Sequence, residues 1–140
     1  MVEVVHRLPG AEEHRQLAEA VGWHHAFDWA HLPESLARSI FGAVALDSDL
    51  VVGMGRVVGD GVMYFYVQDI AVLPEYQRQG IGERIVAALL EQIAPKGPAF
   101  VGLFATPEGM ALYERAGFTR GDMEGLLQVI SRASPDRDGA

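Results

Sequence analysis

Hydrophobic positions along the chain fall into two periods. From residue 81 they recur at Ile81, Ile85, Val86, Leu89, Leu90 and Ile93, the three- and four-residue spacing of a helix that turns one face to a core. Just before it, Tyr64 to Val72 is dense in β-branched and aromatic residues, which suits a strand, and Pro74 stops that strand at Leu73. Around this pair the pattern predicts a strand over 2–7 ended by Pro9-Gly10, a helix over 11–21 closed by Gly22, and a helix over 33–40 with Pro33 in its first turn. Strands over 42–46 and 50–58 are joined through Asp47-Ser48-Asp49, and Gly59-Asp60-Gly61 turns the chain into the strand at 64. Gly53 and Gly55 inside a strand signal a bulge or a close approach of another backbone. A strand over 99–104, a helix over 108–116 closed by Gly117 and a last strand over 124–130 complete the reading. Helical crossover from the strand at 64 makes the strand at 99 parallel to it, while the earlier strands form an antiparallel meander. One domain over 1–131 with a polar tail at 132–140 is the expected organisation.

Composition changes this picture little. The 140 residues are 49% hydrophobic and 21% charged, ordinary for a globular protein. With no cysteine, a disulfide framework, a thiol nucleophile and a thiolate metal site are excluded. His24, His25 and His31 lack the i, i+4 spacing of a helical metal site, so no metal is expected. A net charge of −8 argues against nucleic acid as a partner and suits attraction of a cationic amine. No apolar run is long enough for a signal or a membrane span, so the expected partners exclude membrane and the expected compartment is the cytoplasm.

The chemistry concentrates where strand meets helix, at Gln77-Arg78-Gln79-Gly80-Ile81-Gly82. A helix start leaves backbone N–H groups unpaired at the positive end of its dipole, and glycines let an anion reach them. Arg78 and Arg84 add positive charge, so the expected ligand is a phosphate or diphosphate. A P-loop would need Gly-Lys-Ser/Thr, which is missing, and a dinucleotide fingerprint would need glycine where Ile85 stands. The hexapeptide instead resembles the Gln/Arg-x-x-Gly-x-Gly/Ala signature of the GNAT superfamily of N-acetyltransferases. Asp69-Ile70-Ala71-Val72 before it, and Leu112-Tyr113-Glu114-Arg115-Ala116-Gly117-Phe118 after it, look like two further parts of that family's pattern.

That resemblance implies a GNAT fold: an α/β (α+β) chain with a mixed, mostly antiparallel sheet and a central strand–diphosphate loop–helix crossover. The central strand and the strand after its helix splay apart to admit the pantetheine of acetyl-CoA. By resemblance Ile70, Ala71 and Val72 pair with pantetheine, and Gln77, Arg78, Gln79, Gly80, Ile81, Gly82 and Glu83 hold the diphosphate. Tyr113 takes the place of the family's general acid; a phenol with a pKa near 10 matches a departing thiolate. Asp69 is the nearest carboxylate for a general base, with Asp28, His24 and His25 in reserve. Strand alternation puts Asp69 with Ala71 on one face and Gln68, Ile70 and Val72 on the other, an order that one bulge reverses. Gln68 stands where relatives carry a glutamate, and near the usual asparagine of the last helix stand Thr106 and Glu108. The aromatic stretch from Trp23 to His31 overlies the acceptor in the family, which makes Trp23, His24, Asp28 and Trp29 the candidate substrate wall. Implied is direct acetyl transfer from acetyl-CoA to a primary amine of a small molecule, with a homodimer as a possible assembly. Peptide or protein N-acetylation and a non-catalytic acyl-CoA-binding module stay open beside it.

Overall fold

The computed structural model describes residues 1–130, and the expected polar tail lies outside them. Five strands, β1 (Val2–Val5), β2 (Phe41–Asp47), β3 (Leu50–Gly59), β4 (Tyr64–Val72) and β5 (Phe100–Gly102), form one sheet in sequence order. The first four pair antiparallel; β5 pairs parallel to β4, as its crossover requires. Helices α1 (Ala11–Ala20) and α2 (Leu32–Ala37) link β1 to β2, α3 (Ile81–Ile93) links β4 to β5, and α4 (Met110–Arg115) follows β5.

The stripe read from the sequence is the face α3 buries. Ile81, Ile85, Leu89 and Ile93 pack on Ala43, Val52, Val57, Phe65 and Val67 of the sheet. Fully burying a side chain such as Ile85 or Leu89 contributes about 1.5–3 kcal/mol. The opposite sheet face is covered by α1, where Leu17 meets Val44, Met54 and Ala71.

Both strand glycines mark close approaches. A Cβ on Gly55 would lie 2.5 Å from Ile70 Cδ1, and one on Gly53 2.8 Å from Ile85 Cδ1. Opposite Gly55 the β3–β4 register shifts: Met54 faces Ala71 but Arg56 faces Gln68, so two residues of β4 span one of β3. This bulge sits at Asp69, whose φ is +60°. Core-facing positions along β4 therefore step 65, 67, 70, 72, with Asp69 as the extra residue. Asp69 and Ala71 both reach the α1 face and Ile70 and Val72 the α3 face, but Val67 is also on the α3 face, so regular alternation fails at Gln68.

Several elements differ from the pattern. β5 keeps three residues of the six expected because β4 and β5 stop pairing after Tyr66–Gly102. No strand forms over 124–130; Leu126, Leu127, Val129 and Ile130 stand exposed, and so short an edge as β5 gives a further strand little to pair with. α2 ends at Ala37, because Ile40 N–H donates instead to Val57 O of β3 at 2.8 Å. α4 starts at Met110, after a single 3₁₀ turn at Pro107–Gly109 capped by Thr106, whose hydroxyl accepts from Gly109 N–H at 3.2 Å.

Candidate active site

Loss of pairing beyond Tyr66–Gly102 opens the sheet between β4 and β5. The gap continues into a cavity of about 580 Å³. Ile70, Ala71 and Val72 form one wall of it, and the corner from Gln77 to Glu83, Gln79 excepted, forms its floor. Ala111, Leu112, Tyr113 and Arg115 of α4 close the other side, with Tyr76, Glu108 and Gly109 at the margins. Nine of the ten positions expected to hold the acyl donor thus meet around one space, together with Tyr113.

The two glycines of the corner do different jobs. Gly80 is the N-cap of α3 with φ +78°, a left-handed conformation that costs an ordinary residue about 1–2 kcal/mol, and the space beside its Cα is open. Gly82 is small because of α4: a Cβ there would lie 2.8 Å from Leu112 Cδ1. Arg84 N–H is bonded to Gly80 O at 3.1 Å, and the amides just ahead of it are the donors a helix start leaves over. Arg78 also has positive φ, +64°. The residues therefore fit a diphosphate: an open glycine, spare amide donors and a flanking guanidinium.

Polar contacts fix three side chains around this corner. Arg84 turns away from it and donates to Val2 O at 3.0 Å, so its charge serves the β1 edge. Gln77 donates to Val72 O at 2.9 Å, tying the corner to the end of β4. Arg115, not singled out in the sequence, lines the cavity and pairs with Glu83 at 2.7 Å, bracing α4 against α3. Its position one turn from Tyr113's neighbour Leu112 was the available signal, because cavity-lining positions repeat at helical spacing.

Tyr113 is partly buried and packs edge-on against Phe118, ring centroids 6.1 Å apart. Burial holds its hydroxyl above the ordinary phenol value of 10, so it stays protonated throughout the neutral range.

Asp69 does not line the cavity. Its carboxylate points to the α1 side, where Asp69 Oδ2 lies 2.9 Å from His14 Nε2 and accepts from Arg56 Nε at 2.8 Å. Burial favours the neutral acid, but the bonds from His14 and the Arg56 charge outweigh it and hold the carboxyl below its ordinary value of 3.8. The candidate substrate wall lies on the same side. Trp23, Phe27 and Trp29 form an aromatic cluster, with centroids 6.5 and 5.2 Å apart, and Phe27 packs edge-on against His14 at 4.8 Å. Trp29 Nε1–H donates to His24 O at 3.0 Å, and Asp28 Oδ2 pairs with His31 Nδ1 at 2.8 Å. None of Trp23, His24, Asp28 or Trp29 lines the cavity; the aromatic cluster touches His14, which bonds to Asp69, the chain neighbour of the cavity residue Ile70.

A mixed sheet parted at one edge beside a glycine-capped crossover helix, with a tyrosine lining the shared cavity, is the arrangement that the resemblance in the sequence implied. Comparison with known proteins makes it specific: a family model for the acetyltransferase (GNAT) domain matches residues 38–120, and the chain belongs to that family. A GNAT-family acetyltransferase of Streptococcus pneumoniae is 33% identical and superposes with a TM-score of 0.80 over 94% of this chain and all of that one. A Staphylococcus aureus protein of unknown function is 29% identical, with a TM-score of 0.83 over the same shares. An uncharacterised N-acetyltransferase of Prochlorococcus marinus is 29% identical over 76% of this chain, which spans 61% of that relative's length. Among the described residues no helix is long and apolar enough to cross a membrane.

Proposed function

We propose that this protein transfers the acetyl group of acetyl-CoA directly to the primary amine of a small molecule. The observation that carries the reading is convergence: the unpaired β4 edge at 70–72, the amides at the start of α3 and Tyr113 share one cavity. Acetyl-CoA supplies an activated acyl group and a thiolate leaving group. Backbone groups of Ile70 to Val72 align its pantetheine as an added strand would, and the corner at Gln77–Glu83 takes its diphosphate. The amine reacts as the free base after releasing a proton to water. As its nitrogen bonds to the carbonyl carbon and the carbon–sulfur bond breaks, the Tyr113 phenol gives its proton to sulfur. The proton left on nitrogen then restores the phenol through solvent.

The net charge of −8 supports a cationic acceptor. Action in the cytoplasm and assembly as a homodimer belong to the same proposal. Tyr64, Phe100 and Phe104, exposed near the β4–β5 edge, support an apolar contact between copies. Release of free thiol from acetyl-CoA across a panel of small amines and amino-terminal peptides tests the reading. Turnover on small amines is expected; turnover confined to peptides moves the acceptor class, and no thiol release with any acceptor refutes the activity.

A further inference from the structure

A cluster of buried polar groups stands behind the cavity with no part in holding the acyl donor. His14 of α1 is fully buried, Arg56 of β3 is 7% exposed, and Asp69 of β4 lies between them. An ionised carboxylate only accepts, so His14 carries its proton on Nε2 toward Asp69. The Arg56 guanidinium continues the chain, donating through Nη1 to the Ser35 and Ser39 hydroxyls at 3.0 and 3.1 Å. Four elements or their ends (α1, α2, β3 and β4) are thereby tied to one carboxylate.

That carboxylate belongs to the bulge residue. A side chain at φ +60° in mid-strand is strained, and such strain persists where its surroundings enforce it. The bulge also shifts which residues reach the cavity: Ile70, the next residue, begins the wall. Buried ion pairs are poor stabilisers compared with apolar packing of the same volume, so stability alone gives little reason for this one.

We propose that His14, Asp69 and Arg56 are positioning residues, a clamp that fixes the β4 bulge and so aims the Ile70–Val72 edge at the acyl donor. Asp69 acts through the backbone it anchors and takes no proton from the amine. His14 also touches Phe27, so the clamp joins the aromatic cluster to the reacting edge. The proposal rests on the acetyl-transfer reading, and the test separates the two.

Asp69→Asn, His14→Ala and His14→Gln are compared with the parent chain by steady-state kinetics, the pH dependence of kcat and backbone amide NMR. Misaligning a reacting edge costs rate more than binding, so Asp69→Asn and His14→Ala lower kcat roughly tenfold or more. The Michaelis constant for acetyl-CoA moves less than about threefold. His14→Gln, whose amide can donate to Asp69, recovers part of the loss, and the ascending limb of the pH profile stays in place in Asp69→Asn. Amide signals of Ile70, Ala71 and Val72 shift while those of Leu89 and Leu90 do not. Unchanged kcat in folded variants makes the cluster mere packing and overturns the proposal; disappearance of the ascending limb makes Asp69 the base and also overturns it. Should these variants not fold, the Ser35→Ala/Ser39→Ala pair loosens Arg56 alone, and an unchanged kcat there is equally fatal. If the parent chain transfers acetyl to no amine, the activity reading fails by itself, and unmoved amides at 70–72 then refute the clamp independently.

Discussion

Replacing Gly80 by aspartate places a carboxylate at the N-cap of α3, where the diphosphate of coenzyme A is assigned. Two costs follow, and a control separates them. At φ +78° any Cβ adds about 1–2 kcal/mol of backbone strain, which Gly80→Ala shares. No heavy atom lies within 4 Å of that Cβ, so neither substitution meets a steric clash in the fold. Charge is the remaining difference. At a separation of ~6 Å, one negative charge on the diphosphate and the new carboxylate repel by about 0.7 kcal/mol in water and about 2.8 kcal/mol at an effective dielectric near 20. Two such charges make even the lower figure about 1.4 kcal/mol, a tenfold loss of affinity. Calorimetric titration with coenzyme A should therefore show Gly80→Asp binding at least about tenfold more weakly than Gly80→Ala. Thermal melts should show the two variants similarly destabilised. The gap should narrow in 1 M salt, where the screening length is about 3 Å. Equal affinities for the aspartate and alanine variants at low salt would mean that the diphosphate does not lie at this corner.

Three other outcomes are expected. Tyr113→Phe should lower kcat by about 10²-fold or more with little change in the Michaelis constant for acetyl-CoA, and equal losses in both would assign Tyr113 to packing. Gly55→Ala puts a methyl 2.5 Å from Ile70 Cδ1 and 2.9 Å from Ile85 Cγ2, so denaturant unfolding should register a loss of about 1–3 kcal/mol; an unchanged midpoint would contradict the packing described. Asp69, held below its unfolded value of 3.8, binds fewer protons in the folded state, so its contribution is complete above that value and is lost as pH falls through the lowered one. Urea titrations from pH 7 to pH 3 should show a smaller acid-dependent loss in Asp69→Asn than in the parent chain, and equal losses would break the assignment.

What the sequence carried well was local. α3 runs from Ile81 to Ile93 as its apolar spacing requires, and β4 fills Tyr64–Val72 up to the proline that ends it. Gly53 and Gly55 announced close approach, and the register shift lies opposite Gly55. Contacts between distant segments were not legible. Asp69 is 55 residues from His14 and 13 from Arg56, and nothing in the local pattern of any of the three marks the others as partners. Arg84 looked like part of the anion corner because it is near it in sequence; its reach to Val2 depends on where β1 lies in the sheet. The apolar run at 124–130 read as a strand because pattern reports what a segment could pair, while the partner edge is set by how soon β4 and β5 part. Gly82 was legible as a necessary glycine, but its reason, the approach of Leu112, is tertiary.

Determining a crystal structure with coenzyme A bound tests the central assignment most directly. The expected complex has the diphosphate against the amides at the start of α3 beside Arg78, with the thiol arm running along Ile70 to Val72 toward Tyr113. A diphosphate bound away from that helix start, with the thiol arm leaving the β4 edge bare, would contradict it.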